Sequence, residues 1–147
     1  MLFNNPMAGN NGNLEVSFKT EVKNVFDKTL TSGLIETMNK KMAEAVKGSS
    51  KLALVPKVTN GFLLTVSLLS LTRDEKKKPI EVKAQIKITA IAVGGTAKGF
   101  IAGPTGGSAD SGNPDKKAIA GRANQVVGDI IESMMTKAVD TMAKLAK

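Results

Sequence analysis

The chain contains no cysteine, no histidine, no tryptophan and no tyrosine. Without cysteine it has no disulfide framework and no thiolate metal site, which leaves the redox compartment open. Without histidine or cysteine it lacks the side chains that most often titrate near neutral pH, act as nucleophiles or hold soft metals. Aromatic residues are reduced to Phe3, Phe18, Phe26, Phe62 and Phe100, so core volume must come from aliphatics and from seven methionines. Arginine is nearly absent, at Arg73 and Arg122 only, although the chain has 19 lysines. That scarcity argues against bidentate base readout in duplex DNA. No apolar run approaches the roughly 18 residues of a membrane-spanning helix. Residues 1–13 also lack the basic region and apolar run of a signal peptide. The expectation is a soluble chain, or a mature form whose export signal has been removed.

What the chain does have is alternation. Ile80, Val82, Ala84, Ile86, Ile88 and Ala90 interleave with Glu81, Lys83, Gln85, Lys87 and Thr89, which puts one face in a core and the other in water. Residues 61–71 read as a second long strand, joined to the first by a charged segment ending at Pro79, so the two form a hairpin. Leu14, Val16 and Phe18 alternate with polar residues as a short first strand, and residues 51–55, stopped by Pro56, read as a brief one. The stretch from Glu21 to Phe26 fits neither period cleanly.

Two helices follow from four-residue spacing. Leu30, Leu34, Met38, Met42 and Val46 make one stripe, with Asp27, Thr31 and Ser32 as N-cap candidates and Gly48 as the stop. Ile119, Ala123, Val126, Val127, Ile130, Ile131, Met134, Ala138, Met142 and Leu145 make a longer stripe, the main cover for the hairpin, with Gly121 and Gly128 available for close approach. Residues 102–114, rich in glycine and interrupted by two prolines, read as a flexible loop. Residues 1–13, rich in asparagine and glycine, read as a disordered tail. The resulting expectation is α+β, a two-layer sandwich with two helices on one face of a mainly antiparallel sheet. Its order is β-α-β-β-β-α, and residues 14–147 form a single domain.

No motif points to catalysis. Gly103 to Ser108 fails as a phosphate loop because Pro114 and Asp115 stand where a lysine and an anion belong. Asp110 to Asp115 lacks the repeated oxygens and closing glutamate of a calcium loop. No catalytic residue, metal ligand or cofactor is therefore expected, and the reading is that the chain is not an enzyme.

The net charge of +8 is uneven. Residues 51–101 hold nine basic against three acidic side chains, whereas the segments on either side are each close to balance. The candidate interaction surface is accordingly Lys76, Lys77, Lys78, Lys83 and Lys87, together with Leu69 and Leu71, which break the polar face of the first hairpin strand. It would serve a protein partner, with weak nonspecific association with anions or nucleic acid. Nucleic-acid binding through a basic sheet surface is the alternative function, though stacking aromatics are scarce.

In element order the chain resembles the small α/β domains of bacterial cell-envelope accessory proteins. A strand, a helix ending near Gly48, a short strand, a long hairpin and a long C-terminal helix are similar to the periplasmic domains of the curli-secretion lipoprotein and of penicillin-binding-protein activators. The resemblance spans residues 14–147 and transfers no functional residue. It implies a noncatalytic binding or assembly role outside the cytoplasm, in the periplasm or secreted, with the cytoplasm as the alternative. Panels of hydrolase and transferase substrates should accordingly show no turnover that a single Ser→Ala or Lys→Ala substitution abolishes while the fold is kept.

Overall fold

The structure is a computed structural model and describes residues 14–94, 98–112 and 115–145. The expected disordered tail, residues 1–13, lies outside the described residues. Along the chain come β1 (Leu14–Val25), a 3-10 turn (Lys28–Leu30), α1 (Thr31–Lys47), β2 (Leu52–Leu54), β3 (Gly61–Asp74), β4 (Ile80–Val93), β5 (Phe100–Ser111) and α2 (Lys116–Leu145). The five strands form one sheet in the order β2-β1-β3-β4-β5. β3, β4 and β5 are antiparallel neighbours, whereas β1 lies parallel to both β2 and β3, so the sheet is mixed. The architecture is α+β.

The core follows the two periods in the sequence. Phe62, Leu64, Val66 and Leu68 of β3 and Val82, Ala84, Ile86, Ile88 and Ala90 of β4 are buried on one face. Leu34, Met38, Met42 and Val46 of α1 and the stripe from Ile119 to Met142 of α2 are buried in the same cluster. Full burial of an aliphatic side chain of this size contributes roughly 1.5–3 kcal/mol, so this shared cluster is the main stabilising feature. β1 is longer than its first residues suggest. It continues through the ambiguous stretch to Val25 because β3 offers partners from Gly61 to Leu71, with a gap only at Lys23.

Two expectations are corrected. Leu71 is not surface but core, 1% exposed. The reason is a bulge. Leu68 pairs with Ile86 and Ser70 with Gln85, so Leu69 is an extra residue on β3, and alternation restarts one position later with Leu71 opposite Ala84. The Leu69 carbonyl, displaced from the ladder, accepts a hydrogen bond from Asn24 Nδ2 at 3.1 Å.

The second correction concerns residues 102–114. They do not form a loop up to Ser111, because β5 carries the chain that far along the sheet edge, adding a strand to the expected order; residues 113 and 114 lie outside the described residues. The glycines serve packing. A Cβ on Gly107 would lie 2.9 Å from Ile130 Cγ1, and one on Gly103 would lie 3.0 Å from Met134 Cε, so β5 is kept small where α2 presses on it. Gly103, at φ 86°, also takes the left-handed conformation that lets two residues of β5, Gly103 and Pro104, stand opposite Lys87 alone.

The helices touch through small residues as well. A Cβ on Gly128 would meet Lys41 Cε at 3.2 Å and Thr37 Cγ2 at 3.5 Å, whereas one on Gly121 would meet nothing within 4 Å, so only Gly128 serves close approach. Thr37 Oγ1 donates to Asn124 Oδ1 at 2.6 Å, and Lys41 pairs with Glu132 at 3.0 Å. Ile130→Asp would place an unpaired carboxylate between α2 and β5 at a cost on the order of several kcal/mol, a large share of the about 5–15 kcal/mol that a domain has. Gly107→Val should act in the same place by steric overlap. Both variants should aggregate or lose cooperative melting, read by calorimetry or circular dichroism, and an unchanged transition in both would show that α2 does not seat on β5.

Candidate functional site

Both helices lie against one side of the sheet, and among the described residues nothing covers the other. That open face is built by the alternate residues of each strand: Glu15, Ser17, Lys19, Glu21 and Lys23 of β1, Leu63, Thr65 and Ser67 of β3, the odd-numbered positions Glu81 to Ile91 of β4, and Ile101, Ser108 and Asp110 of β5. Its charges balance in sum, Lys19, Lys23, Lys83 and Lys87 against Glu15, Glu21, Glu81 and Asp110. Lys87 stands opposite Ser67, whose hydroxyl donates to Glu21 at 3.0 Å, and Glu81 stands opposite Asp110. Glu81 also takes Lys77 at 2.9 Å and Lys83 at 3.5 Å. The hydrogen bond from Lys77 holds the Glu81 carboxyl below the usual glutamate range and raises Lys77 in turn.

The structure therefore divides the expected interaction surface. Lys83 and Lys87 lie on the open face, Lys76, Lys77 and Lys78 lie in the β3–β4 turn beyond its charged end, Leu69 is half-buried at the bulge, and Leu71 is in the core. The lysines are not one uninterrupted cationic patch, since Lys77 and Lys83 share Glu81.

The other end of the open face has a different character, which the sequence reading missed. Leu63, Ile91 and Ile101 are 41%, 55% and 65% exposed. Leu63 pairs directly with Ile91, and Ile101 pairs with Thr89, which puts Ile91 beside Leu63 on one strand and diagonal to Ile101 on the other. The signal was available in the alternation, because Leu63 and Ile91 occupy positions where the pattern calls for polar residues. Beside Ile91, just before β5, stands Gly99, so close that a Cβ would lie 3.5 Å from Ile91 Cα.

That end of the sheet is held by Glu15. Its Oε1 accepts three hydrogen bonds, from Thr59 N at 2.8 Å, Thr59 Oγ1 at 2.8 Å and Asn60 N at 2.9 Å, which fastens the loop before β3 to β1. Gly61 follows because a Cβ there would lie 1.8 Å from the Glu15 carbonyl oxygen. Among the described residues no three of Asp or Glu converge as metal ligands would. A cleft of about 760 Å³ lies elsewhere, between the C-terminal halves of α1 and α2.

No protein-family model matches the sequence, and no curated protein matches it by sequence. Solved structures do share the fold. A Xanthomonas campestris protein assigned to the family DUF330 superposes with a TM-score of 0.57 at 11% identity, over 87% of each chain. A hypothetical protein of Chlamydia trachomatis superposes with a TM-score of 0.53 at 10% identity, over 91% of this chain and 98% of its own. A minor lipoprotein from Acinetobacter baumannii superposes more loosely, with a TM-score of 0.48 at 10% identity over 88% of this chain and 90% of its own. At these identities the likeness is one of fold, and it joins this chain to an architecture found in bacterial proteins.

The three donors hold the Glu15 carboxyl below the ordinary glutamate range, the Thr59 backbone N–H being the largest cause. A carboxyl depressed on folding contributes stability that is complete above its unfolded pKa and is lost as pH falls through its folded pKa. Glu15→Gln should therefore lower the melting temperature most near neutral pH. The gap from wild type should narrow as acid is added through and below the usual glutamate range. A gap that does not change with pH would show that the ionised carboxylate is not what these donors hold.

Proposed function

We propose that this protein is a noncatalytic interaction or assembly protein of the bacterial cell envelope, periplasmic or secreted, that meets a protein partner through the open face of its sheet. The observation that carries the reading is the cluster of Leu63, Ile91 and Ile101, side by side on a face that no described element covers. Exposed aliphatics gathered in a patch, with polar residues around them, are the usual anatomy of a protein contact, whereas scattered ones are not. Thr65, Thr89 and Ser17 provide the polar margin, and Lys83 and Lys87 with Glu21 and Glu81 supply charges of both signs that can set orientation. The envelope assignment is supported by the element order shared with periplasmic accessory domains and by the bacterial proteins of the same fold. The near cancellation of charge on the open face argues against the nucleic-acid alternative, which needs an excess of cations along a groove or sheet.

Pull-down from a bacterial envelope fraction tests the reading when the bait is varied. One and the same species should be retained by the wild-type chain and by a helix-face control, Lys40→Ala, and lost with Ile91→Asp and Ile101→Asp, whose melting transitions should stay unchanged. Retention by all four would remove the open face as the contact. A salt titration against generic DNA and RNA separates the alternative. Binding with a steep fall of log affinity against log salt, weakened by Lys83→Glu and Lys87→Glu, would replace the protein partner with nucleic acid.

A further inference from the structure

Among the described residues β5 is the outer strand of the sheet, and it lacks the charges that usually guard an edge. It is 12 residues long, and none of the chain's lysines lies between Phe100 and Ser111, although β1 and β4, further in, carry two each. The direction of its backbone groups follows from its contacts with β4. A Cβ on Gly99, Gly103 or Gly106 would lie 2.5, 2.8 or 3.6 Å from the carbonyl oxygen of Ala90, Ile86 or Ala84, so the even-numbered residues of β4 aim their carbonyls at β5. Thr105 and Gly107, the partners of Ile86 and Ala84, therefore bond back to β4, and by alternation Gly106, Ser108 and Asp110 turn their N–H and C=O groups away from the sheet. All three residues are exposed.

Gly106 has no reason within the fold to be glycine. Unlike Gly103 and Gly107, it would bear a Cβ in ordinary contact, 3.6 Å from the Ala84 oxygen and 3.9 Å from Gln85 Cγ. A strand glycine that internal packing does not require weakens the strand and marks a place where something else comes close. Two positions further along the same row, Ser108 leads to Asp110, which stands directly opposite Glu81, while both Lys77 and Lys83 contact Glu81. The edge thus ends on an acidic spot.

We propose that residues 106–110 of β5 take up an extended segment of a protein partner as a further strand, with an aromatic side chain over Gly106 and a lysine or arginine beside Asp110. Backbone hydrogen bonds hold such a strand, and side chains at alternate positions select it. An aromatic ring laid across an edge glycine covers the bare backbone, and opposite charges across a strand pair attract. In an antiparallel partner the two recognised residues lie four apart on one face, the basic one first. A second copy of β5 does not fit, because its own outward row of Ile101, Gly106, Ser108 and Asp110 offers neither an aromatic nor a base. That the occupant is a protein follows the reading proposed above, whereas the seat, a row of backbone groups, is separate from the cluster of Leu63, Ile91 and Ile101.

The probe is the acetylated and amidated peptide Lys-Val-Thr-Val-Phe-Thr, added to the isotope-labelled full chain and followed by NMR. The amide signals of Gly106, Ser108 and Asp110 should shift and their hydrogen exchange slow, with those of Leu63 and Ile91 unmoved. Ser108→Pro removes an outward N–H and keeps the ladder to β4, so binding should weaken about tenfold, the equivalent of one or two hydrogen bonds. Asp110→Lys should weaken it through charge alone, which keeps the test open should Ser108→Pro fail to fold, and Ile91→Asp should leave it unchanged. Replacing the peptide's phenylalanine with alanine should cost more affinity in the wild-type chain than in Gly106→Thr. No response of the three amides at millimolar peptide would overturn the proposal. Exchange already slow without peptide would overturn it by showing the edge paired from within the chain, and exchange that slows only as the protein is concentrated would do so in favour of a second copy. Binding lost with Ile91→Asp and kept with Ser108→Pro and Asp110→Lys would move the contact to the open face, overturning the edge as the seat while leaving the reading of that face standing.

Discussion

The seating of α2 on β5 is the contact on which the other features depend. Gly107 lets Ile130 approach the strand to a distance that a side chain would forbid, and Gly103 does the same for Met134. Because the helix sits this low over β4 and β5, its other flank meets α1 at Gly128, where the side chains of Lys41 and Thr37 pack over the missing side chain. The hydrogen bond from Thr37 to Asn124 fixes that crossing at 2.6 Å. The same constraint makes the cleft. Past the crossing at Gly128, Ala45 of α1 and Ala143 of α2 line the cleft.

Much of this architecture was legible because period two and period four are strong signals wherever apolar residues carry them. β4 and both helices could be read directly, and the buried methionines Met38 and Met42 fall where the four-residue spacing puts them. Failure came where the signal is carried by small residues or shifted by an insertion. The inward positions of β5 are Phe100, Ala102, Thr105, Gly107 and Ala109, a period-two row broken once by the Gly103-Pro104 bulge. Glycine has low strand propensity, and a row of alanine and glycine does not look like a core face until the helix that needs the space is present. Leu71 failed for the opposite reason: it obeys the alternation, but one residue late, after Leu69 leaves the ladder. A bulge of this kind has no composition of its own.

Of the candidate surface, Lys83 and Lys87 lie on the open face and Lys76, Lys77 and Lys78 in the turn next to it. The excess of basic residues in the middle of the chain suggested a cationic sheet. In the fold, strands distant in sequence bring Glu21 and Asp110 to the same face as Lys83 and Lys87, and a count along the chain cannot show that pairing. In the β3–β4 turn Lys76 and Lys78 are exposed, and Asp74 accepts the Lys76 backbone N–H. Lysine at a hairpin tip and on the open face keeps strands from pairing with strangers and needs no ligand to explain it.

The two faces of the sheet then pose different problems. Five strands offer one face to two helices, and those helices between them supply the buried stripe from Leu34 to Met142. On the opposite face the chain has to live with water, and alternation solves this with Lys, Thr, Gln and Glu over most of its length. It stops doing so at the end bounded by Gly61 and Gly99, two positions where neighbouring backbone leaves no room for a side chain. Ile91 and Ile101 stand next to that gap at 55% and 65% exposure, with no long polar neighbour on Gly99 to lean across them. An exposed isoleucine on a strand gains little for folding over threonine, which keeps the β-branch and faces water at lower cost. Two of them beside Leu63, at the end of the face bounded by Gly61 and Gly99, are the feature on which the proposed protein contact rests.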